Sequence, residues 1–187
     1  MSSFDSPEEF YMSWWLDELF EAGYIDNWCL HPEPYILAPA FSYLYDKHLK
    51  TKTKTLGSNL LSPHIYTPDY HIDWNEKARG IFFNKMLDRV NLKNIPFVSQ
   101  YLPYSVVEVK AGFSKFHAGR EFSINQKWMM QRHGIYVQKV IISNKKGLFA
   151  DTFTPEKFLL TSTGKPRKLH YTPRTLKEFT KASQLYA

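Results

Sequence analysis

Runs with the spacing of amphipathic helices alternate along this 187-residue chain with short strand-like runs, and that alternation restricts its fold more than any other feature. Ser6-Pro7-Glu8-Glu9 opens a helix: Ser6 can cap, Pro7 suits the first helical position, and Glu9 completes a capping box. Phe10, Trp14, Leu16, Leu19 and Phe20 supply its apolar face, and Gly23 ends it. The prolines of His31-Pro32-Glu33-Pro34 break the chain before the strand-like Tyr35-Ile36-Leu37. Lys47 to Asn59, with its alternating Lys-Thr run, reads as an exposed, mobile loop. Ile65 to Trp74 is strand-like, and the spacing of Ile81, Phe82, Met86, Leu87 and Val90 predicts a helix over Glu76 to Asn91. A strand over Val106 to Ala111, a helix over Phe122 to His133 stopped by Gly134, and a strand over Tyr136 to Ile142 follow. Thr154-Pro155-Glu156 starts a short helix, and the C-terminal end is basic and weakly patterned. The order predicts a mixed α/β fold, a central mixed β-sheet flanked by helices. There is no internal repeat and no Gly-rich phosphate loop.

A content of 43% hydrophobic and 17% aromatic residues suffices for one core, so the chain reads as a single domain over 1–187. Its core spans about 6–142, and a basic extension covers about 143–187. The lone Cys29 cannot form an internal disulfide, and Met1 to Phe10 carries acids without a basic leader segment, which points to a reducing, cytoplasmic setting. No apolar run approaches the roughly 20 residues of a membrane-spanning helix. Charge is segregated: residues 1–46 hold nine acids and no Lys or Arg, so all 24 basic residues face only nine acids from Lys47 onward, a balance of +15. Such a field attracts a polyanion as readily as it keeps a surface soluble.

Alternate side chains of Val106-Val107-Glu108-Val109-Lys110 point to opposite faces, so Glu108 and Lys110 share one face while Val107 and Val109 share the other. Taken alone, an acid and a base on a strand are more often an ordinary exposed pair. Upstream, Tyr66-Thr67-Pro68-Asp69-Tyr70 adds a carboxylate in a second strand-like segment, preceded by a proline that suggests a local break. Phosphodiester hydrolysis explains such a gathering. Carboxylate oxygens are hard ligands suited to magnesium, and a lysine beside the metal can orient water or stabilise negative charge.

Pro68-Asp69 followed by Glu108-Val109-Lys110 resembles the signature of the PD-(D/E)XK nucleases. The wording Tyr-Thr-Pro-Asp-aromatic, then Val-Glu-x-Lys, is similar to the phage endonucleases that resolve branched DNA, the Holliday junction resolvases. The resemblance covers roughly residues 6 to 142 and implies a restriction-endonuclease-like core with an insertion between the two motif strands. It also implies a magnesium- or manganese-dependent DNA endonuclease of phage replication or recombination, acting as a homodimer in the host cytoplasm. Asp69, Glu108 and the backbone carbonyl of Val109 would hold the metal, and Lys110 would orient the attacking water. A further acid comes from the preceding helix, here Glu9 with Glu8 as its competitor, and Glu9 equally suits a purely capping role. The helix after the second motif presents Gln126 and Lys127 as candidates to meet the phosphate. Two departures stand out: the long gap from Asp69 to Glu108, an expected substrate-binding or dimer-forming element, and Ala111-Gly112 after the lysine.

Lys52 and Lys54 in one basic stretch, and Lys165, Arg167 and Lys168 in another, are candidates to neutralise DNA phosphates. His71 and Asp73 alternate with Asp69 but suit a structural hydrogen bond better than metal ligation. His31, His64, His117 and His133 lack zinc spacing with Cys29, which has no activating partner. Trp14, Trp15, Trp28 and Trp128 are expected in the core. A nuclease of RNA or single strands with the same site, and a catalytically silent nucleic-acid-binding or phage structural protein, remain open alternatives.

Overall fold

The structure, a computed structural model, describes residues 4–86, 95–99, 102–110, 118–142 and 147–184. Helix α1 (Pro7–Glu21) starts as its sequence dictates: the Glu9 amide donates to Ser6 Oγ at 3.2 Å and the Ser6 hydroxyl donates to Glu9 Oε1 at 2.8 Å. It ends at Gly23, whose φ of 71° lets its amide reach Phe20 O and that of Tyr24 reach Leu19 O. The buried face differs from the expected one. Met12, Trp15, Leu16 and Leu19 are buried, while Phe10 and Phe20 lie on the exposed side.

The chain then lays down β1 (Ile25–Leu30), antiparallel to β6 (Tyr70–Trp74), which is antiparallel to β9 (Tyr104–Val109). Strand β10 (Val137–Val140) runs parallel to β9, and the crossover a parallel pair requires is α2 (Ala118–His133), ended by Gly134 at φ 66°. The sheet is therefore mixed, in the order β1-β6-β9-β10. Alternation along β9 splits the core. Val107 and Val109 join the large cluster with α1, Tyr70, Ile72 and Trp74, while Val106 joins a smaller one with Leu37, Tyr66, Phe122, Met129 and Val137.

Two elements interrupt this sheet. Between β1 and β6 the chain forms β2 (Tyr35–Ala38) paired with β5 (His64–Tyr66), and from them extends the hairpin of β3 (Phe41–His48) and β4 (Thr53–Leu61). The loop expected over Lys47 to Asn59 is thus largely strand. Its Lys-Thr alternation has the period of two that a ladder needs, with β-branched threonines, and Lys47 pairs with Lys54. Between β6 and β9 lie the short parallel strands β7 (Phe83–Lys85) and β8 (Phe97–Ser99).

The helix expected over Glu76 to Asn91 is absent from the described part of that range, which holds one 3-10 turn at Glu76–Ala78 and then β7. Gly80 at φ 78° breaks any helix there, and Phe82 and Phe83 are both drawn fully into the core. Residues 87–91 of that range, and Ala111, Gly112 and His117, lie outside the described residues.

Past residue 147 the chain continues the same core. After α3 (Leu148–Asp151) and a 3-10 turn at Glu156–Leu159 comes α4 (Leu176–Gln184), capped by reciprocal bonds between Thr175 and Glu178. Phe149, Phe153, Phe158 and Phe179 all enter the large cluster, Phe153 stacking on Trp15 at 5.4 Å. The basic stretch expected to trail beyond residue 142 therefore helps to build the core. Trp15 is fully buried, and Trp14 and Trp28 are partly so, but Trp128 is exposed against His64.

Candidate active site

Pro68 has no amide proton, so the ladder between β6 and β9 ends where Pro68 would face Val109. The Val109 amide finds a side chain instead: Asp69 Oδ2 accepts from it at 2.6 Å. On the opposite edge of β9, the Lys110 amide donates to Val140 O at 2.8 Å. The Asp69 carboxylate is thereby fixed on the peptide that links Glu108 to Val109. Among the described residues no hydrogen bond occupies its Oδ1.

Glu108 is buried and anchored at both oxygens. The Tyr66 hydroxyl donates to Oε2 at 2.6 Å, and Lys110 Nζ lies 2.5 Å from Oε1. The expected strand alternation thus brings the acid and the base together on one face. Asp69 responds to its surroundings: burial, then the charge of Glu108, and further that of Glu9, push its carboxyl up to about 7, against the Val109 amide and the Lys110 ammonium, which lower it. Burial and the Glu108 carboxylate likewise raise the Tyr66 phenol, and burial with Glu9 and Asp69 raises that of Tyr70. An excess of negative charge is concentrated here in a partly dry setting.

Glu9 is buried and serves the helix cap, with Oε2 also accepting from the Asp5 amide at 3.0 Å. Its charge also acts on Asp69. The Tyr70 hydroxyl donates to Glu9 O at 2.8 Å and the His31 amide donates to Asp69 O at 2.8 Å, tying α1, β1 and β6 together at this corner. His31 Nε2 sits 3.4 Å from Glu9 Oε2 and 3.7 Å from Asp5 Oδ2.

The remaining candidates lie elsewhere or are already engaged. His71 Nε2 is 2.9 Å from Asp73 Oδ1 and its ring stacks on Tyr104, a structural pair on β6. Gln126 donates its amide to Val137 O at 2.7 Å, joining α2 to β10, while Lys127 is exposed. Lys52 and Lys54 are exposed on the hairpin, and Lys165 and Lys168 are exposed as well. Arg167 packs over Tyr11 and Phe158 and donates Nε to Phe158 O at 3.0 Å. Cys29 is exposed, and partial desolvation with the charge of Asp73 pushes its thiol up, which makes it a poorer nucleophile.

Sequence reasoning passed over Tyr66, Tyr70 and Asp5, and set His31 aside because it lacks zinc spacing with Cys29. Tyr66 and Tyr70 bracket the Thr-Pro-Asp segment, a local sign that could have been read. His31 meets Glu9 only through the return of β1 past the helix start, which no local spacing records. No helix among the described residues is long and apolar enough to cross a membrane. Compared with protein-family models, curated proteins and solved structures, the chain matches none.

Proposed function

We propose that this chain is a magnesium-dependent DNA endonuclease that hydrolyses phosphodiester bonds at Asp69, Glu108 and Lys110. The observation that carries the reading is the bond from the Val109 amide to Asp69, which seats one acid on the peptide following the other and beside the lysine. Hard oxygen donors, and an Asp69 carboxyl raised by burial and then by the Glu108 charge, both fit a divalent cation. Asp69, Glu108 and the Val109 carbonyl would hold magnesium or manganese. When bound, the ion supplies charge compensation at the phosphate and acidifies water.

The chain's own groups do the rest. Tyr66 holds the Glu108 carboxylate in one orientation, and the Lys110 ammonium, 2.5 Å from Glu108 Oε1, is available to orient water or to neutralise phosphate charge. Exposed lysines such as Lys52, Lys54, Lys165 and Lys168 neutralise the DNA backbone. The order of α1, β1, β6, β9, α2 and β10 also agrees with the resemblance to PD-(D/E)XK nucleases, its insertion being β7 and β8. Branched DNA as the substrate and a homodimer as the working form belong to the same proposal. Exposed Phe41, Tyr43, Leu44, Leu60 and Leu61 on the hairpin offer apolar surface for a partner chain.

The test is cleavage of linear duplex, single-stranded and four-way-junction DNA with magnesium or manganese, beside a metal-free control. Metal-dependent cutting of the junction supports the whole reading, and cutting of single strands alone redirects it to another substrate. No cutting of any DNA by well-folded protein overturns it.

A further inference from the structure

We propose that Asp5, Glu9 and His31 form a separate site for a divalent transition ion, one that takes zinc or manganese in preference to magnesium. Their ligand atoms all lie within 4.8 Å of one another. His31 Nε2 is 3.4 Å from Glu9 Oε2 and 3.7 Å from Asp5 Oδ2. These separations are long for hydrogen bonds. They are close to what two ligands show when each lies about 2.0–2.2 Å from one shared ion, where tetrahedral or octahedral geometry sets them about 3.0–3.5 Å apart.

A second observation is independent of the spacing. Among the described residues, His31 Nε2 is shut off from solvent and makes no hydrogen bond, although it faces two carboxylates. A buried polar atom that makes no hydrogen bond is costly unless something between it and the acids completes it. The His31 backbone is held in place, since its amide donates to Asp69 O at 2.8 Å. Glu9 is in turn fixed by Ser6 and by the Asp5 amide.

The donor set determines the ion. An imidazole nitrogen beside two carboxylates suits zinc or manganese, whereas magnesium prefers an all-oxygen shell that retains water. Bound there, the ion would tie the start of α1 to the turn after β1 and set the position of Glu9 relative to Asp69. The inference stands apart from the nuclease reading, because the chain can hold this ion whether or not it cuts DNA.

The experiment is a calorimetric titration of the full chain with zinc and with manganese, in excess magnesium, on the wild type and on Asp69→Asn, His31→Gln and Asp5→Asn. X-ray absorption of the zinc-loaded chain identifies the donors. The wild type and Asp69→Asn should bind one zinc ion with nitrogen and oxygen donors, and His31→Gln should bind it at least about 10-fold more weakly. Asp5→Asn, which leaves the Ser6–Glu9 cap intact, should lose affinity in the same direction. Equal binding by His31→Gln overturns the proposal, as does sulfur among the donors, which would put the ion on Cys29 beside His71. Absence of saturable binding also overturns it, leaving only a close approach of His31 to the two acids. Loss of binding in Asp69→Asn alone would assign the ion to the Asp69–Glu108 site and overturn it too.

Discussion

The Tyr66 hydroxyl donates a 2.6 Å hydrogen bond to Oε2 of Glu108, joining residues 42 positions apart in a buried setting. Its partner is an acid whose other oxygen is held by Lys110, so the phenol decides which way the carboxylate plane faces. Tyr66→Phe should cost about 1.5–3 kcal/mol of stability, since a hydrogen bond to a charged group is lost in the interior. It should also raise the magnesium concentration needed for half-maximal cleavage. Urea unfolding and a metal titration of the cleavage rate measure the two effects, and an unchanged metal dependence would show that Tyr66 serves packing alone.

Ser6 supports Glu9 as well as the helix. Ser6→Ala removes the acceptor of the Glu9 amide and the donor to its carboxylate, bonds of 3.2 and 2.8 Å. A loss of about 1 kcal/mol is expected, seen as a fall in Tm of roughly 2–4 °C for a chain of this size. Glu9→Gln should retain most of the cap, because an amide accepts the Ser6 bond, yet remove the charge that acts on Asp69. Differential scanning calorimetry of both variants separates cap from charge, and a larger loss in Glu9→Gln than in Ser6→Ala would contradict this division.

The parts of the fold that were legible in the sequence are those that local chemistry fixes. The Ser6 and Glu9 capping box, the stop at Gly23, the break at Pro68 and the alternation of Glu108 with Val107 and Val109 involve residues a few positions apart. The β3–β4 hairpin was hidden because its Lys-Thr run looks like solvated loop, and exposed strands carry no apolar alternation to read. Phe82 gave helical spacing with Ile81, Met86, Leu87 and Val90, but it and Phe83 are drawn into the aromatic core around Trp15 and Trp74 by tertiary packing. In the site, the residue types Asp69, Glu108 and Lys110 were readable. The contacts of Tyr66 with Glu108 and of His31 with Glu9 were not, because sheet register and the turn after β1 create them. The Thr175–Glu178 capping box was there to be read, within a stretch whose basic composition obscured it.

Binding of DNA should divide the basic residues into two groups. Replacing Lys52, Lys54, Lys165 and Lys168 with Ala removes exposed charges, so affinity should fall for every sequence and the salt slope should flatten by up to about 0.9 per lost phosphate contact. Arg167 differs, because it lies 4.4 Å from the Phe158 ring and donates to Phe158 O. Arg167→Ala should lower stability before it lowers affinity. Fluorescence anisotropy at several salt concentrations, with thermal melts, tests both halves, and an unchanged slope in the quadruple variant would mean that DNA binds another surface.

The raised carboxyl of Asp69 makes stability depend on pH with a definite sign. Burial and the charges of Glu108 and Glu9 bring it to about 7, against 3.8 for the unperturbed group. Between those values the folded chain binds more protons than the unfolded one, so the contribution of Asp69 to stability is fully present below about pH 4 and is lost as pH rises through about 7. Without divalent metal, unfolding free energy should therefore decline between pH 5 and pH 8 by an Asp69-dependent amount on the order of 2 kcal/mol, allowing for solvent screening. Asp69→Asn cannot ionise and should lack this component, while its near-identical size keeps the acceptor for the Val109 amide. Magnesium should restore stability to the wild type at pH 8, because the ion binds the carboxylate and proton and metal compete for the same oxygens. It should leave the variant almost unchanged. The same competition predicts that cleavage at limiting magnesium rises with pH up to about 7 and that Asp69→Asn loses cleavage by a factor on the order of 100 or more. Urea denaturation in EDTA and in magnesium, at matched pH values for both proteins, decides the matter. Parallel pH profiles for wild type and Asp69→Asn would mean that Asp69 titrates normally and would remove the electrostatic ground for placing a cation there.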